Sequence, residues 1–259
     1  MKLPHLPGRQ EKPREKGLTM MMDKGLSLQQ VQNLLETGGH LIDFAKLGFG
    51  TSVVSRNVRE KVSLYRNAGI KVFLGGTLFE ACLIRDSLKM YEHFIDDLQV
   101  DCVEISDGSM VMDHNEKCDF IRYFSKDRMV LSEVGAKEAD VITDHHVWTH
   151  HMKAEIEAGS SLVIAEARES GNVGIYKNTG KADDELIHEI LEVIPAEKLL
   201  WEAPLKSQQV WFIKLLGSHV NLGNIAPDDI IPLETLRLGL RGDTFFDVLP
   251  GEFEKFRLK

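Results

Sequence analysis

Glutamates close four successive apolar runs in this chain of 259 residues. They are Glu104, Glu133, Glu166 and Glu202, and each follows a short aliphatic stretch. Any one of them could be a solvated residue at the rim of the fold. Four at equivalent positions would repel one another strongly unless a cation or a proton lay among them. Because Mg²⁺ prefers oxygen ligands and keeps water and substrate phosphate in its shell, the pattern predicts a Mg²⁺ site.

Two lysines and an arginine are interleaved with these acids. Lys46 lies within an apolar strand, where an unpaired ammonium would be costly, so it is either an ion-pair partner of a glutamate or a substrate-facing amine. Lys137 comes shortly after Glu133, and its alternatives are a surface lysine and an acid–base or anion-binding group. Arg168, two residues after Glu166, lies on the same strand face, where its planar guanidinium suits a phosphate or a carboxylate.

A phosphate group also needs backbone N–H donors, and two glycine-containing segments offer them. Residues 221–225 lie at the end of the predicted eighth strand and just beyond it, and barrels often bind phosphate in that region. We expect Asn221, Gly223 and Asn224 to bind substrate there, with the glycine permitting a close backbone approach. Residues 171–175, after the predicted sixth strand, are a second source of donors.

Eight apolar runs, alternating with amphipathic segments, must position these side chains. Strands that alternate with helices imply right-handed βαβ units, and eight units within about 230 residues predict a single-domain (β/α)8 barrel. In such a barrel the catalytic groups come from the carboxyl ends of the strands. An open doubly wound sheet is the structural alternative, but the chain has neither G-x-G-x-x-G after a strand nor a Walker A motif. The predicted strands are residues 18–22, 41–47, 71–74, 101–105, 129–134, 161–165, 198–201 and 219–222.

The bulk composition is that of a soluble globular protein, with 43% hydrophobic and 27% charged residues. A formal net charge of −9 argues against nucleic acid as a partner. Because the chain has neither an apolar leader nor a run near the roughly 20 residues that span a bilayer, we expect a cytoplasmic protein without a membrane partner. Barrels of this size often assemble, so we also expect a homo-oligomer. We predict an arm over residues 1–17, the barrel over 18–244 and a tail over 245–259.

Several strand-end segments resemble the phosphosulfolactate synthase family, and the similarity runs from about Lys12 to Phe245. Their order and spacing along the chain make the resemblance specific. Ala45 and Phe49 depart from it, since a bulkier aliphatic residue and a tryptophan are expected there. The segments are KPRE at 12–15, FAKLGFGTS at 44–52, GGTLFE at 75–80, EISDG at 104–108, SEVG at 132–135, EARESG at 166–171, EAP at 202–204, NLGNI at 221–225 and ETLRLGLR at 234–241.

The resemblance implies an enzyme that adds sulfite to phosphoenolpyruvate with Mg²⁺, giving (2R)-phospho-3-sulfolactate. By its match to the family lysine, Lys137 is expected to deliver the proton, with Lys46 and Glu133 also catalytic. The metal would stabilise the enolate-like charge that develops on the substrate. The residues expected to bind the metal are Glu104, Glu166 and Glu202, and those expected to bind substrate are Arg168, Ser170, Asn221, Gly223 and Asn224.

Two other functions remain open from the residues alone. One is an aldolase-type lyase that uses Lys46 or Lys137 as a Schiff base on a phosphorylated keto acid. The other is a barrel that senses a phosphorylated ligand without turning it over. A covalent adduct trapped by borohydride would favour the lyase, and tight phosphoenolpyruvate binding without turnover would favour the sensor.

Overall fold

The computed structural model describes residues 3–135, 144–167 and 170–258. Within these ranges, eight parallel strands alternate with helices, which confirms the predicted barrel. The strands are β1 (Thr19–Asp23), β2 (Phe44–Leu47), β3 (Lys71–Leu74), β4 (Cys102–Ile105), β5 (Met129–Val134), β6 (Leu162–Ala165), β7 (Leu199–Glu202) and β8 (Leu222–Ile225). The α-helices are α1 (Leu28–Gly38), α2 (Thr51–Val54), α3 (Val58–Asn67), α4 (Gly76–Leu83), α5 (Leu88–Leu98), α6 (His114–Phe124), α7 (His145–Ala158), α8 (Asp184–Val193), α9 (Lys206–Leu216) and α10 (Ile230–Arg237).

Two buried clusters reflect the two faces of the strands. Successive strand side chains point to opposite faces, so alternate residues fill the barrel interior and the rest pack against the helices. The interior cluster is small and includes Met20, Phe44 and Leu200, whereas the cluster that packs against the helices contains Met21 and Ala45. Because both faces of each strand are buried, the strands appear in the sequence as short apolar runs.

The ring of strands is completed by a side chain between β3 and β4. The strand ladder follows the order β3-β2-β1-β8-β7-β6-β5-β4. Asp101 precedes β4, and its Oδ2 accepts a hydrogen bond from the backbone N–H of Val72 at 3.0 Å. Its own backbone N–H donates to the carbonyl of Val72, also at 3.0 Å. These two bonds satisfy backbone groups that a closed ladder would have paired.

Residues that precede β1 are tied to the amino end of the barrel. Arg14 forms a salt bridge with Asp43 at 3.1 Å, and Asp43 also accepts a hydrogen bond from the backbone of Thr19 at 2.9 Å. Arg9 pairs with Glu234 at 2.9 Å. The KPRE segment therefore stabilises the end of the barrel opposite the strand ends that carry the glutamates. The boundaries of arm, barrel and tail stay a prediction.

The eighth strand was predicted three residues too early. It begins at Leu222 and not at His219, so residues 222–225 form the strand and not a loop after it. The predicted run at 219–222 contains only two apolar residues, Val220 and Leu222, and the glycine and asparagine that follow it are typical of loops. None of the helices in the described ranges is both long and apolar enough to cross a lipid bilayer.

Candidate active site

A pocket of about 390 Å³ opens at the carboxyl ends of the strands. Its four charged residues continue the inward face of their strands, because each lies two positions after an interior apolar residue. Lys46 follows Phe44 in this way, and Glu202 follows Leu200. The pocket is lined by Met22, Lys46, Phe49, Gly75, Thr77, Glu133, Glu166, Ala167, Ser170, Glu202 and Asn224. The two-residue period of the strands therefore places apolar layers inside the barrel and a charged layer at the carboxyl ends of the strands.

Lys46 is the buried cation at the floor of this pocket. Its Nζ lies 2.8 Å from Glu104, 3.2 Å from Glu133 and 3.6 Å from Glu202. Burial by itself would lower the pKa of Lys46, but the surrounding carboxylates outweigh that effect and raise the pKa well above its ordinary value. Lys46 is therefore an ammonium at neutral pH, which makes it a poor Schiff-base nucleophile.

Three of the four predicted acids converge on one point. Glu133, Glu166 and Glu202 each place a carboxylate oxygen within 4.8 Å of the others' oxygens. All three residues are buried, so their charges are weakly screened. Three anionic oxygens at this spacing suit a hard divalent cation that completes its shell with water or substrate. The donor set therefore fits Mg²⁺.

Glu104 differs from the other three acids. Its Oε1 accepts a hydrogen bond from the backbone N–H of Gly76 at 2.7 Å, and its Oε2 faces Lys46. A Cβ on Gly76 would lie only 2.8 Å from Glu104 Oε1, so this close approach requires glycine. The third convergent carboxylate is therefore that of Glu133, whereas the metal set predicted from the sequence included Glu104 and left Glu133 to catalysis; that assignment stays a prediction.

Glu202 is held by one residue that follows β6 and one residue on β8. The backbone N–H of Ala167 donates to its Oε2 at 3.0 Å, and the Nδ2 of Asn224 lies 3.4 Å from the same oxygen. Burial raises the pKa of Glu202 to about 7, with Lys46 acting in the opposite direction and Glu133 adding to the rise. Its backbone carbonyl accepts a hydrogen bond from the Tyr176 hydroxyl at 2.7 Å.

Lys117, which was not predicted from the sequence, is a buried cation near the site. Its Nζ donates to the backbone carbonyl of Glu133 at 2.6 Å and to Asp107 at 2.8 Å, and it lies 2.8 Å from Glu155. The β4–β5 ladder ends at Ser132, so this ammonium replaces the strand partner that the Glu133 carbonyl lacks on that side. A signal was available, because Lys117 falls on the apolar face of α6.

The predicted substrate-binding residues lie in different places. Asn221 lies at the amino end of β8, where its Oδ1 accepts from the backbone N–H of Leu18 at 3.0 Å and its Nδ2 donates to the carbonyl of Leu199 at 3.0 Å. The strand begins after it, so Asn221 lies at the opposite end of the barrel from the pocket, and its predicted role in substrate binding stays a prediction. Gly223 is an interior strand position, since a Cβ there would lie 2.6 Å from the Met20 side chain.

Asn224 and Ser170 both line the pocket. The Ser170 hydroxyl is hydrogen-bonded to the side chain of Asn172. Lys137 and Arg168 lie outside the described residues, so their predicted roles stay predictions. Met22 also lines the pocket and was not predicted from the sequence, although it follows Met20 on the interior face of β1 by the same period of two.

Comparison with known proteins gives consistent matches over nearly the whole chain. The model of the family described as (2R)-phospho-3-sulfolactate synthase (ComA) matches residues 7–243. The phosphosulfolactate synthase of Methanothermobacter thermautotrophicus is 41% identical over 244 residues, covering 92% of this chain and 95% of that protein. The phosphosulfolactate synthase of Bacillus subtilis is 39% identical over 244 residues, covering 93% and 97%.

Solved structures resemble this chain in fold. The 3-hexulose-6-phosphate synthase of Salmonella typhimurium superposes with a TM-score of 0.55 at 13% identity, covering 85% of this chain and 99% of that one. A phosphonopyruvate hydrolase in complex with oxalate and Mg²⁺ superposes with a TM-score of 0.53 at 11% identity, covering 93% and 87%. At these identities the likeness supports the barrel fold alone.

Proposed function

The chain belongs to the (2R)-phospho-3-sulfolactate synthase family, and we propose that it adds sulfite to phosphoenolpyruvate in a Mg²⁺-dependent reaction. The observation that carries this proposal is the group of three carboxylates beside a buried ammonium at the carboxyl end of the barrel. Such a group binds a divalent cation, and the cation together with nearby side-chain cations can gather anionic substrates in an otherwise acidic protein.

In the proposed reaction, the sulfur lone pair of sulfite attacks C3 of phosphoenolpyruvate and forms the C–S bond. The π electrons of the C2–C3 double bond move toward C2 and the carboxylate, and C2 then takes up a proton. The phosphate ester stays intact, so the step is an addition without a leaving group. Catalysis requires that the negative charge developing next to the carboxylate be stabilised and that a proton be delivered to one face of C2.

Glu133, Glu166 and Glu202 would hold the Mg²⁺ ion, which when bound supplies positive charge for the substrate carboxylate. Lys46 fixes the positions of two of these carboxylates, since its Nζ contacts both Glu133 and Glu202. Its ammonium also reduces the negative charge that an approaching anion meets. Lys46 therefore acts as a fixed cation and not as a covalent nucleophile.

Lys137 is the proposed proton donor to C2, and Arg168 the proposed cation for the substrate phosphate. Both assignments rest on the family motifs SEVG with its following lysine and EARESG. Ser170 and Asn224 line the pocket and would donate or accept hydrogen bonds at its rim. In the Schiff-base alternative, Lys46 is disfavoured as the nucleophile because it is a charged ammonium. A Schiff base at Lys137 would form a covalent adduct with the substrate, which the synthase reaction does not.

The direct test follows product formation from phosphoenolpyruvate and sulfite by phosphorus NMR and mass spectrometry. We expect a sulfonated phosphate ester in the presence of Mg²⁺ and none after chelation. Glu166→Gln should abolish product, whereas the exposed Glu157→Gln on α7 should leave it unchanged. Lys137→Ala should stop turnover in a protein that still unfolds cooperatively. Product that persists after chelation would refute the metal-dependent mechanism, and a borohydride-trapped adduct would favour the lyase.

A further inference from the structure

Asn224 has a backbone conformation that is uncommon for a non-glycine residue inside a strand. Its φ angle is +55°, in the left-handed region. The cause is a bulge in β8. Thr19 of β1 pairs with Leu222 of β8, and Met21 pairs with Ile225, so two steps along β1 correspond to three steps along β8. One extra residue on β8 is thus accommodated, and bulges of this kind re-aim side chains near active sites.

The bulge lets two consecutive residues of β8 face the barrel interior. Leu222 and Ile225 belong to the cluster that packs against the helices. Between them, a Cβ on Gly223 would point at Met20 and Leu200 inside the barrel. Asn224 is buried and lines the pocket. In a regular strand, Asn224 would follow the alternation and face the helices instead.

The side chain turned inward by this bulge meets Glu202. Its Nδ2 lies 3.2 Å from the Ala167 carbonyl and 3.4 Å from Glu202 Oε2. The Ala167 N–H donates to the same Oε2, whereas Glu202 Oε1 lies 3.6 Å from the Nζ of Lys46. The two amide donors are therefore on one oxygen of the carboxylate.

We propose that Asn224 is a positioning residue that holds Glu202 by Oε2, so that Oε1 is the oxygen directed toward a divalent cation shared with Glu133 and Glu166. This inference rests on the metal site of the proposed function. A carboxylate that ligates a metal depends on the hydrogen bonds that orient it, and removing such a partner typically weakens metal binding about 10–100-fold. A strained backbone held in place beside that carboxylate is consistent with such a role.

Asn224→Gly separates this role from stability. Glycine adopts positive φ without steric cost, so the variant keeps the bulge and loses only the carboxamide. Asn57→Gly is the matched control, because Asn57 has φ +57° and is exposed at the start of α3. We would measure Mg²⁺ binding by calorimetry on the full chain without substrates, together with thermal unfolding.

We expect Asn224→Gly to weaken Mg²⁺ binding about 10–100-fold while Asn57→Gly leaves it unchanged. In the Glu202→Gln background, Asn224→Gly should have little further effect on Mg²⁺ affinity, since its partner has already lost its charge. The positioning role alone would be overturned if Asn224→Gly left the Mg²⁺ affinity unchanged. It would also be overturned if Asn224→Gly lowered the Mg²⁺ affinity equally in the wild-type and Glu202→Gln backgrounds. A wild-type protein that binds no divalent cation would overturn the metal site of the proposed function, and the positioning role with it.

Discussion

Replacing Lys46 by methionine should strongly destabilise the protein, and Mg²⁺ should restore part of the loss. Methionine keeps most of the apolar stem of lysine but removes the charge. The ammonium lies 2.8, 3.2 and 3.6 Å from three carboxylates. At an effective dielectric constant of about 20, each pair contributes roughly 5 kcal/mol of attraction, most of which is offset by the cost of burying the charges.

The net cost of breaking a buried ion pair by removing one partner is about 3–5 kcal/mol. For a protein of this size, each kcal/mol lowers the melting temperature by about 2–4 °C, so we expect a loss of roughly 6–20 °C. Thermal unfolding followed by circular dichroism measures this loss. Because a divalent cation among the acids replaces part of the missing charge, Mg²⁺ should raise the melting temperature of Lys46→Met more than that of the wild type.

Two further variants test whether the Lys46 ammonium holds these carboxylates together. Lys71→Met removes an exposed lysine at the start of β3 and should shift stability by no more than about 0.5 kcal/mol. Adding Glu104→Gln to Lys46→Met removes one of the uncompensated charges and should recover stability. If Lys46→Met unfolds at the wild-type temperature, or if Glu104→Gln destabilises it further, the ammonium is not what holds these acids together.

Three other substitutions test the surroundings of the site. Gly76→Ala should lower the free energy of unfolding by about 1–3 kcal/mol, measured by urea denaturation, because its Cβ would lie 2.2 Å from Ser106 Oγ. Lys117→Met should cost about 3–5 kcal/mol in the same assay and weaken Mg²⁺ binding, since its ammonium holds the backbone carbonyl of Glu133. Burial, with nearby positive charge, lowers the pKa of His114 from 6.5 to about 4. As the pH falls from 6.5 to about 4, this histidine is therefore protonated in the unfolded chain but not in the folded one, so the folded protein loses stability. His114→Gln should reduce that loss by about 1 kcal/mol.

Each of these substitutions has a matched control. Gly8→Ala should have no effect, since a Cβ there meets no atom within 4 Å. Lys153→Met and His93→Gln replace exposed residues on α7 and α5, and both should behave as wild type. A stable Gly76→Ala, a stable Lys117→Met, or a His114→Gln variant with the wild-type pH dependence would contradict the corresponding argument.

The barrel was predictable because its signal is local. Each strand is a short apolar run with a polar residue at its end, and this pattern correctly identified Lys46, Glu133 and Glu202 as residues at strand ends. Seven of the predicted strands overlap the observed ones almost fully, whereas the eighth shares only Leu222. The exception arises because β8 carries a glycine and a bulge, and neither belongs to an alternating apolar pattern.

The contacts that each side chain makes in the folded protein could not be predicted from the local sequence pattern. Glu104 and Glu133 occupy equivalent places in their strands, yet Glu133 converges with Glu166 and Glu202 while Glu104 turns to the backbone of Gly76. That difference depends on how β3 and β4 meet, and no local pattern records it. Lys117 was missed for the same reason, because its three partners come from different elements.

Residue types and their period along the chain were sufficient to place acids and an ammonium in one layer at one end of a barrel, since the side-chain direction in a strand depends only on its neighbours. Closing the strands into a ring then decided which carboxylates lie within reach of one ion. The bulge that turns Asn224 toward Glu202 and the buried charge behind Glu133 are likewise properties of the closed ring. Distances across a barrel depend on the register between strands that are far apart in the chain, and such distances exist only in the folded protein.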